Sequence, residues 1–230
     1  MDKYTYLLID FFTVIVPFLF SFHPKLQFHK TWRAFFPAVL ITGIVFILWD
    51  LYFTDLGVWG FNPRYVCGLF IGNLPIEEIL FFLCIPYACV FTFHCLNLFI
   101  TRGMSLQIAS VFTPVLIAVL VLTGIAGRAQ VYTMTTFFGL AFLLLVAKYL
   151  LSIGWLGKFY VIYAVLLVPF LIVNGLLTGT GLEEPVVWYN NNEIFGLRIL
   201  TIPVEDVFYG MALILMNLMI YKSLINRRFG

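Results

Sequence analysis

Two pairs of acidic residues occupy the same sequence setting in this chain, 128 positions apart. Glu77 and Glu78 follow a Pro-Ile dipeptide, while Glu205 and Asp206 follow a Pro-Val dipeptide, and a long apolar run comes after each pair. Two neighbouring carboxyl groups can deliver a proton and take one back when one holds its hydrogen and the other is ionised. The spacing therefore predicts a duplicated motif for acid–base chemistry.

The residues just before each acidic pair indicate the start of a helix. Asn73 and Thr201 are predicted to be N-caps, and Pro75 and Pro203 would then lie in the first turn, where a missing N–H costs nothing. The acids would follow in the second turn, with the two members of a pair about 100° apart around the helix axis. One member could then face the inside of a helix bundle while the other faces a loop or a neighbouring helix.

The chemistry of these acids depends on how dry their surroundings are. Bulky residues follow both pairs, and Phe81, Phe82 and Tyr209 are among them. Desolvation, together with repulsion inside each pair, favours a protonated form for one member. The alternative is that all four acids stay solvated at the membrane interface and only complement the helix dipole.

The composition is that of a membrane protein. Of the 230 residues, 63% are hydrophobic and 10% charged, whereas soluble domains carry about 25% charged residues. Seven apolar runs could each cross about 30 Å of hydrocarbon, and a helix pairs its backbone groups internally there. We therefore predict an all-α integral membrane protein with seven transmembrane helices. The predicted spans are residues 4–20, 34–51, 74–98, 108–125, 133–151, 159–178 and 202–223.

The 128-residue offset also predicts the domain organisation. It carries the first three spans onto the last three and leaves the fourth unpaired, which gives a 3+1+3 plan. The first three-helix repeat would cover residues 1–101, the linker helix 102–130 and the second repeat 131–230. Because the linker crosses the membrane once, the repeats would run in the same direction, related by an axis along the membrane normal.

Basic residues are divided unequally between the two predicted membrane faces. Four lie on the face of the N-terminus and nine on the opposite face, and positively charged loops usually stay in the cytoplasm. We therefore predict a multi-pass protein of the cytoplasmic membrane with its N-terminus outside and its C-terminus inside. The four are Lys3, Arg64, Arg128 and Arg198, and the nine are Lys25, Lys30, Arg33, Arg102, Lys148, Lys158, Lys222, Arg227 and Arg228.

Further candidate residues lie near the same outer face, which also carries the two long loops at residues 52–73 and 179–201. Asp10 and Asp50 are costly in apolar helices unless they face the interior, and the alternative is an interfacial position. Asn174 could reach the acids or could serve helix packing. Aromatic rings can stabilise a cation. The aromatic residues predicted to bind substrate are Trp49, Trp59, Phe81, Phe82, Trp188, Tyr189 and Tyr209.

Several common chemistries have no motif in the sequence. It contains no dinucleotide-binding fingerprint, P-loop, zinc signature or nucleophile elbow. We therefore expect no cofactor, no metal site and no nucleic-acid partner. Acid–base chemistry on a lipophilic substrate, surrounded by membrane lipid, is the reading that remains.

With both acidic motifs in place, at residues 75–78 and 203–206, the chain resembles the membrane-embedded lycopene cyclases. The two halves of these enzymes are separate subunits in some bacteria and are fused in other organisms. The resemblance covers nearly the whole chain and implies a lycopene β-cyclase, an isomerase that needs no electron carrier. The implied substrate is lycopene or a related linear carotene, with γ- and β-carotene as products. Other enzymes of the carotenoid pathway are candidate partners.

The resemblance also implies a reaction. A proton adds to the terminal double bond of the carotene, the next-but-one alkene attacks the tertiary cation, and loss of a ring proton leaves a β-ionone ring. Glu78 and Asp206 would be the leading buried acids, with Glu77 and Glu205 beside them as further catalytic residues. Which acid donates the proton is left open. Since split relatives need both halves, one site between the halves is expected, and one site in each half is the alternative.

Two other functions fit parts of the pattern. Small-solute transporters also use parallel 3+1+3 repeats, but they should carry polar groups near the membrane midplane in both halves. The third and seventh spans here are apolar beyond their acidic ends. A non-catalytic carotenoid-binding membrane protein, with purely structural acids, is the other alternative.

Overall fold

Seven long helices make up most of the described chain. The computed structural model describes residues 2–100 and 103–229, and for residues 227–229 the backbone alone. The helices are α1 (Thr5–Phe20), α2 (Trp32–Asp55), α3 (Ile76–Phe99), α4 (Leu106–Ala126), α5 (Val131–Leu145), α6 (Leu156–Leu177) and α7 (Val204–Phe229). Together with the short helical turns that extend α1 back to Asp2, α2 back to Phe28 and α5 on to Leu150, each of the seven is long and apolar enough to cross a membrane. The prediction of an all-helical, multi-pass membrane protein is therefore confirmed.

Short strands occur in the two long loops, which the sequence pattern indicated only as loops. Two hairpins stand directly before α3 and α7, and a third strand pair joins the two loops to each other. The strands are antiparallel in all three pairs. They are β1 (Trp59–Phe61) with β4 (Val187–Tyr189), β2 (Phe70–Ile71) with β3 (Leu74–Pro75), and β5 (Arg198–Ile199) with β6 (Ile202–Pro203).

The hairpins change how α3 and α7 begin. Pro75 and Pro203 are the last residues of strands, so each helix starts at the residue after its proline. The acids therefore lie in the first turn of each helix. The side chain of Asn73 donates to the carbonyl of Leu51 at 3.0 Å. The hydroxyl of Thr201 bonds to the end of α6 and the loop after it. The prediction of N-caps at Asn73 and Thr201 was wrong, because hairpin pairing keeps the backbone extended up to each proline.

Hydrogen bonds between the two long loops recur at the sequence offset of 128. The N–H of Asn62 donates to the carbonyl of Val186, and the N–H of Asn190 donates to the carbonyl of Val58, both at 2.8 Å. Positions 62 and 190 correspond, as do 58 and 186, so each half makes the same bond to the other. This reciprocity supports the 3+1+3 plan. The plan and its domain bounds stay a prediction, and the boundary between residues 101 and 102 lies outside the described residues.

The helix contacts place α3 and α7 at the centre of the bundle. The first packs against α1, α2 and α6, and the second packs against α2, α5 and α6. The two central helices also contact each other, while α4 covers α5. Because both acidic motifs begin these central helices, packing brings the four carboxyl groups into the protein interior.

A substitution at the turn between α4 and α5 tests this packing. A methyl group on Gly127 would lie 2.5 Å from Cγ2 of Thr133, and Thr133 is fully buried, so it has no room to move aside. We expect Gly127→Ala to lower the free energy of unfolding by about 1–3 kcal/mol, the usual cost of overpacking. Thermal unfolding in detergent measures this. Gly154→Ala is the control, since a methyl group there meets no atom within 4 Å. Equal thermal midpoints for the two variants would contradict the described contact.

Candidate active site

A cavity of about 660 Å³ lies among α1, α3, α6 and α7, and the β1–β4 pair closes one end of it. Along α3 its lining runs from Glu78 to Thr92, which corresponds to about 21 Å at a rise of 1.5 Å per residue. Most of the lining is apolar. Asp50, Asn174 and Asp206 join Glu78 at the end nearest the strands. The cavity is therefore an elongated apolar space with acids gathered at one end.

Glu78 reaches this cavity from the first turn of α3. Its side chain is buried, and Oε2 accepts a hydrogen bond from the hydroxyl of Tyr6 at 2.5 Å. Tyr6 belongs to α1, is 1% exposed, and packs edge-on against Phe81. One donor thus orients the carboxyl group, and its other oxygen remains available toward the cavity.

Asp206 reaches the same space from the first turn of α7 and is held by three donors. Its Oδ1 accepts from the hydroxyl of Tyr132 at 2.7 Å. Its Oδ2 accepts from the amide of Asn174 at 2.8 Å and from the hydroxyl of Tyr189 at 3.0 Å. Burial raises the pKa of Tyr189 well above its ordinary value, and the Asp206 carboxylate adds to the shift, so this phenol keeps its proton and donates. Such a set of donors can stabilise a negative charge on Asp206.

The first member of each acidic pair points elsewhere. Glu77 and Glu205 are fully buried, and neither lines the cavity. Oε1 of Glu77 accepts from the N–H of Cys67 at 2.7 Å. Oε1 of Glu205 accepts from the N–H of Phe195 at 2.6 Å and from the hydroxyl of Thr133 at 2.5 Å. These two acids therefore tie the long loops to the helix starts, and their predicted catalytic role stays a prediction.

The structure brings together six of the ten residues predicted to bind substrate. Asp10 lies inside α1 at 1% exposure, outside the cavity lining. Trp49 and Phe82 also lie outside it and pack around Phe46. Trp188 is 44% exposed and lies against Gly60 in the β1–β4 pair. The six that line the cavity are Asp50, Trp59, Phe81, Asn174, Tyr189 and Tyr209.

Sequence analysis did not single out two of the donors, Tyr6 and Tyr132. Each lies in the first turn of its helix, and the two contact Glu78 and Asp206 respectively. They are 126 positions apart, so the self-comparison at 128 does not pair them. A comparison of α1 with α5 at an offset of 126 would have paired the two tyrosines.

The corresponding space in the other half of the bundle is filled. The positions 128 residues before Asn174 and Leu177, which line the cavity, are Phe46 and Trp49. Their rings stack at 6.0 Å and contact Tyr209 at 5.1 and 5.7 Å. Two large aromatic rings thus replace an amide and a leucine, so the two halves of the bundle are not equivalent in packing.

The fold and the site together define a class: a multi-pass membrane protein in which carboxyl groups from two central helices line one end of an apolar cavity. The family model for lycopene cyclase matches residues 3–96 and, a second time, residues 129–224. The chain therefore belongs to the lycopene cyclase family. No curated protein and no solved structure matched it.

Membership confirms the resemblance on which the sequence prediction relied. The match in both halves fits the two acidic motifs, one in each matched segment. The protein is a cyclase with a carotenoid substrate, and carotenoid cyclisation is its general activity.

Substitution of Glu205 tests the anchoring role of the first acids. Glu205→Leu leaves the N–H of Phe195 and the buried hydroxyl of Thr133 without their acceptor. We expect it to lower the free energy of unfolding by about 1–3 kcal/mol, the cost of unpaired buried donors. Glu205→Gln keeps an oxygen at the same place and should unfold close to the wild-type temperature in detergent. If the leucine variant is as stable as the glutamine variant, Glu205 is not an anchor.

Proposed function

We propose that the protein is a lycopene β-cyclase, which converts the end of a linear carotene into a β-ionone ring inside the membrane. The observation that carries the proposal is the unequal bonding of two acids at one end of an apolar cavity. Glu78 accepts one hydrogen bond from the described residues, and Asp206 accepts three. An acid with little support for a negative charge keeps its hydrogen, and an acid with strong support gives it up.

This inequality assigns the roles. Glu78 is the proton donor: Tyr6 occupies Oε2, which leaves Oε1 to carry the hydrogen to the terminal double bond of the carotene. The next-but-one alkene then attacks the tertiary cation and closes the ring. Asp206, as a carboxylate, first balances the positive charge and then removes the ring proton. One proton enters the carotene and one leaves it, so the reaction is an isomerisation without an electron carrier. Asp206 then releases its proton and Glu78 takes one up, which restores both acids.

Aromatic rings around the acids support the same chemistry. Trp59, Phe81 and Tyr209 line the cavity beside Glu78 and Asp206. The face of an aromatic ring stabilises a nearby cation by about 0.5–2 kcal/mol. A carbocation formed at this end of the cavity would therefore have both a counter-charge and aromatic faces around it, whereas water would destroy it.

The packing favours one site per chain, built between the halves. Glu78 comes from the first half and Asp206 from the second, and Phe46 and Trp49 fill the space that a second site would need. A carotene cyclised at both ends would then have to bind twice, once with each end.

The unequal distribution of basic residues supports a placement in the cytoplasmic membrane, with the N-terminus outside. Arg102 and the side chains of Arg227 and Arg228, which enter that count, lie outside the described residues. In this placement the acids lie near the outer face. The lipid-facing surface would contact membrane lipid, and other enzymes of the carotenoid pathway are the proposed source of substrate.

Expression in a bacterium that accumulates lycopene tests the proposed reaction. The wild-type chain should convert lycopene into γ- and β-carotene, seen in a pigment chromatogram. Glu78→Gln and Asp206→Asn should each lower product formation by about 10²-fold or more, because acid and base catalysis are worth about 10²–10⁴-fold. Asp55→Asn, at an exposed acid at the end of α2, is the control and should cyclise normally. Unchanged pigment with wild-type protein in the membrane would overturn the proposal.

An isotope experiment tests the origin of the added proton. During turnover in D₂O the carboxyl hydrogen of Glu78 should be replaced from solvent. Each ring formed should therefore carry one deuterium, which mass spectrometry of the carotene detects. Rings that carry no deuterium would show that the added proton does not come from a carboxyl group in exchange with solvent.

A further inference from the structure

We propose that the carotene enters the cavity sideways from the lipid, through an opening between α1 and α6, and that its unreacted part lies in this opening during the reaction. The inference rests on the proposed function, since it concerns how that substrate reaches Glu78 and Asp206. It adds an entry route and two residues that define it, Leu8 and Ile172.

Residues on both helices line the cavity and also face outward. On α1, Leu8 is 45% and Phe12 67% exposed, and both belong to the lining. On α6, Ile172 is 62% exposed and also belongs to the lining. A side chain that touches both the cavity and the outer surface stands at a mouth. In a membrane-spanning helix that surface meets lipid, so the mouth opens where a carotene would dissolve.

The packing of α1 explains why an opening occurs there. Of its 16 residues, only Tyr6 and Asp10 are buried. In α5, its counterpart in the 3+1+3 plan, seven of 15 residues are buried, because α4 packs along that helix. The main neighbour of α1 is α3, and its contact with α6 is slight. One side of α1 is therefore held firmly while the other borders the cavity.

Two prolines stand in the helices that border the mouth. Pro17 in α1 and Pro169 in α6 both line the cavity. A proline inside a helix removes one backbone hydrogen bond and makes bending easier at that place. Both helices can thus yield locally while a bulky polyene passes between them.

The end of the cavity nearest the acids is closed by polar backbone pairing. Trp59, Phe61, Val187 and Tyr189 line the cavity from the β1–β4 pair, and that pair is hydrogen-bonded along its length. A hydrophobic chain would have to break these bonds and cross the watery loop region to enter there. Entry from lipid leaves the pairing intact and keeps the apolar chain out of water throughout.

The length of the cavity leads to the same conclusion. A linear carotene is about as long as the hydrocarbon core of a bilayer is thick, roughly 30 Å. The lining along α3 extends about 21 Å, so the cavity cannot enclose the whole molecule. With one end at the acids, the remainder must leave the cavity, and the lipid-facing mouth is the apolar place for it.

Narrowing the mouth tests the inference. Leu8→Trp and Ile172→Trp should each lower the initial rate of cyclisation several-fold in proteoliposomes that contain little lycopene, with a smaller effect when lycopene is abundant. Phe11→Trp on α1 and Val168→Trp on α6 are matched controls, because both residues are exposed, at 50% and 64%, and neither lines the cavity. If wild-type protein turns over and the mouth variants match their controls, the inference is overturned.

A second readout does not depend on turnover. In the Glu78→Gln background, the half-time of lycopene binding from vesicles can be followed through its absorption band. The mouth variants should lengthen this half-time relative to their controls, and equal half-times would contradict the inference. Wild-type protein that never cyclises lycopene, yet binds it more slowly in the mouth variants, would instead refute the proposed reaction and leave the entry route supported.

Discussion

A charged carboxyl group inside an apolar bundle is stable only where hydrogen-bond donors offset the loss of water, and the rest of this site depends on that constraint. Asp206 receives hydrogen bonds from α5, α6 and β4, so three separate elements must be in place before this acid is supported. Glu78 receives its bond from α1. Each acid is thus supported by donors from its own half of the chain, and the site exists only where the two halves meet at the cavity that both acids line.

The duplicated motif carries two tasks, one for each member of the pair. Glu77 and Glu205 hold the N–H groups of Cys67 and Phe195, and so fix the loops that close the site. The second member of each pair, about 100° further around the helix, turns toward the cavity. The two adjacent acids of each motif thus have different places in the structure, one at the loop and one at the cavity.

The two segments that match the family model do not pack alike. The reciprocal backbone bonds between the loops follow the sequence offset closely, yet the interior does not. Phe46 and Trp49 fill one side, whereas Asn174 and Leu177 leave the other side hollow. The backbone arrangement tolerates such divergence because transmembrane helices satisfy their own hydrogen bonds whatever side chains they carry. Side chains at corresponding positions can therefore fill space in one half and line a cavity in the other.

The sequence by itself determined the membrane fold, since apolar length and low charge leave few other choices, and it pointed to both acidic pairs because they repeat at one offset. Only the tertiary structure decided which acids meet. The strands before α3 and α7 shift the acids to the first turn, and distant helices supply the donors Tyr6 and Tyr132. Sequence spacing records order along one helix, whereas a site between helices depends on side-chain contacts among segments more than 70 residues apart. The cavity beside Asn174 could not be predicted from the sequence for the same reason, because a cavity is the space that several helices together leave unfilled.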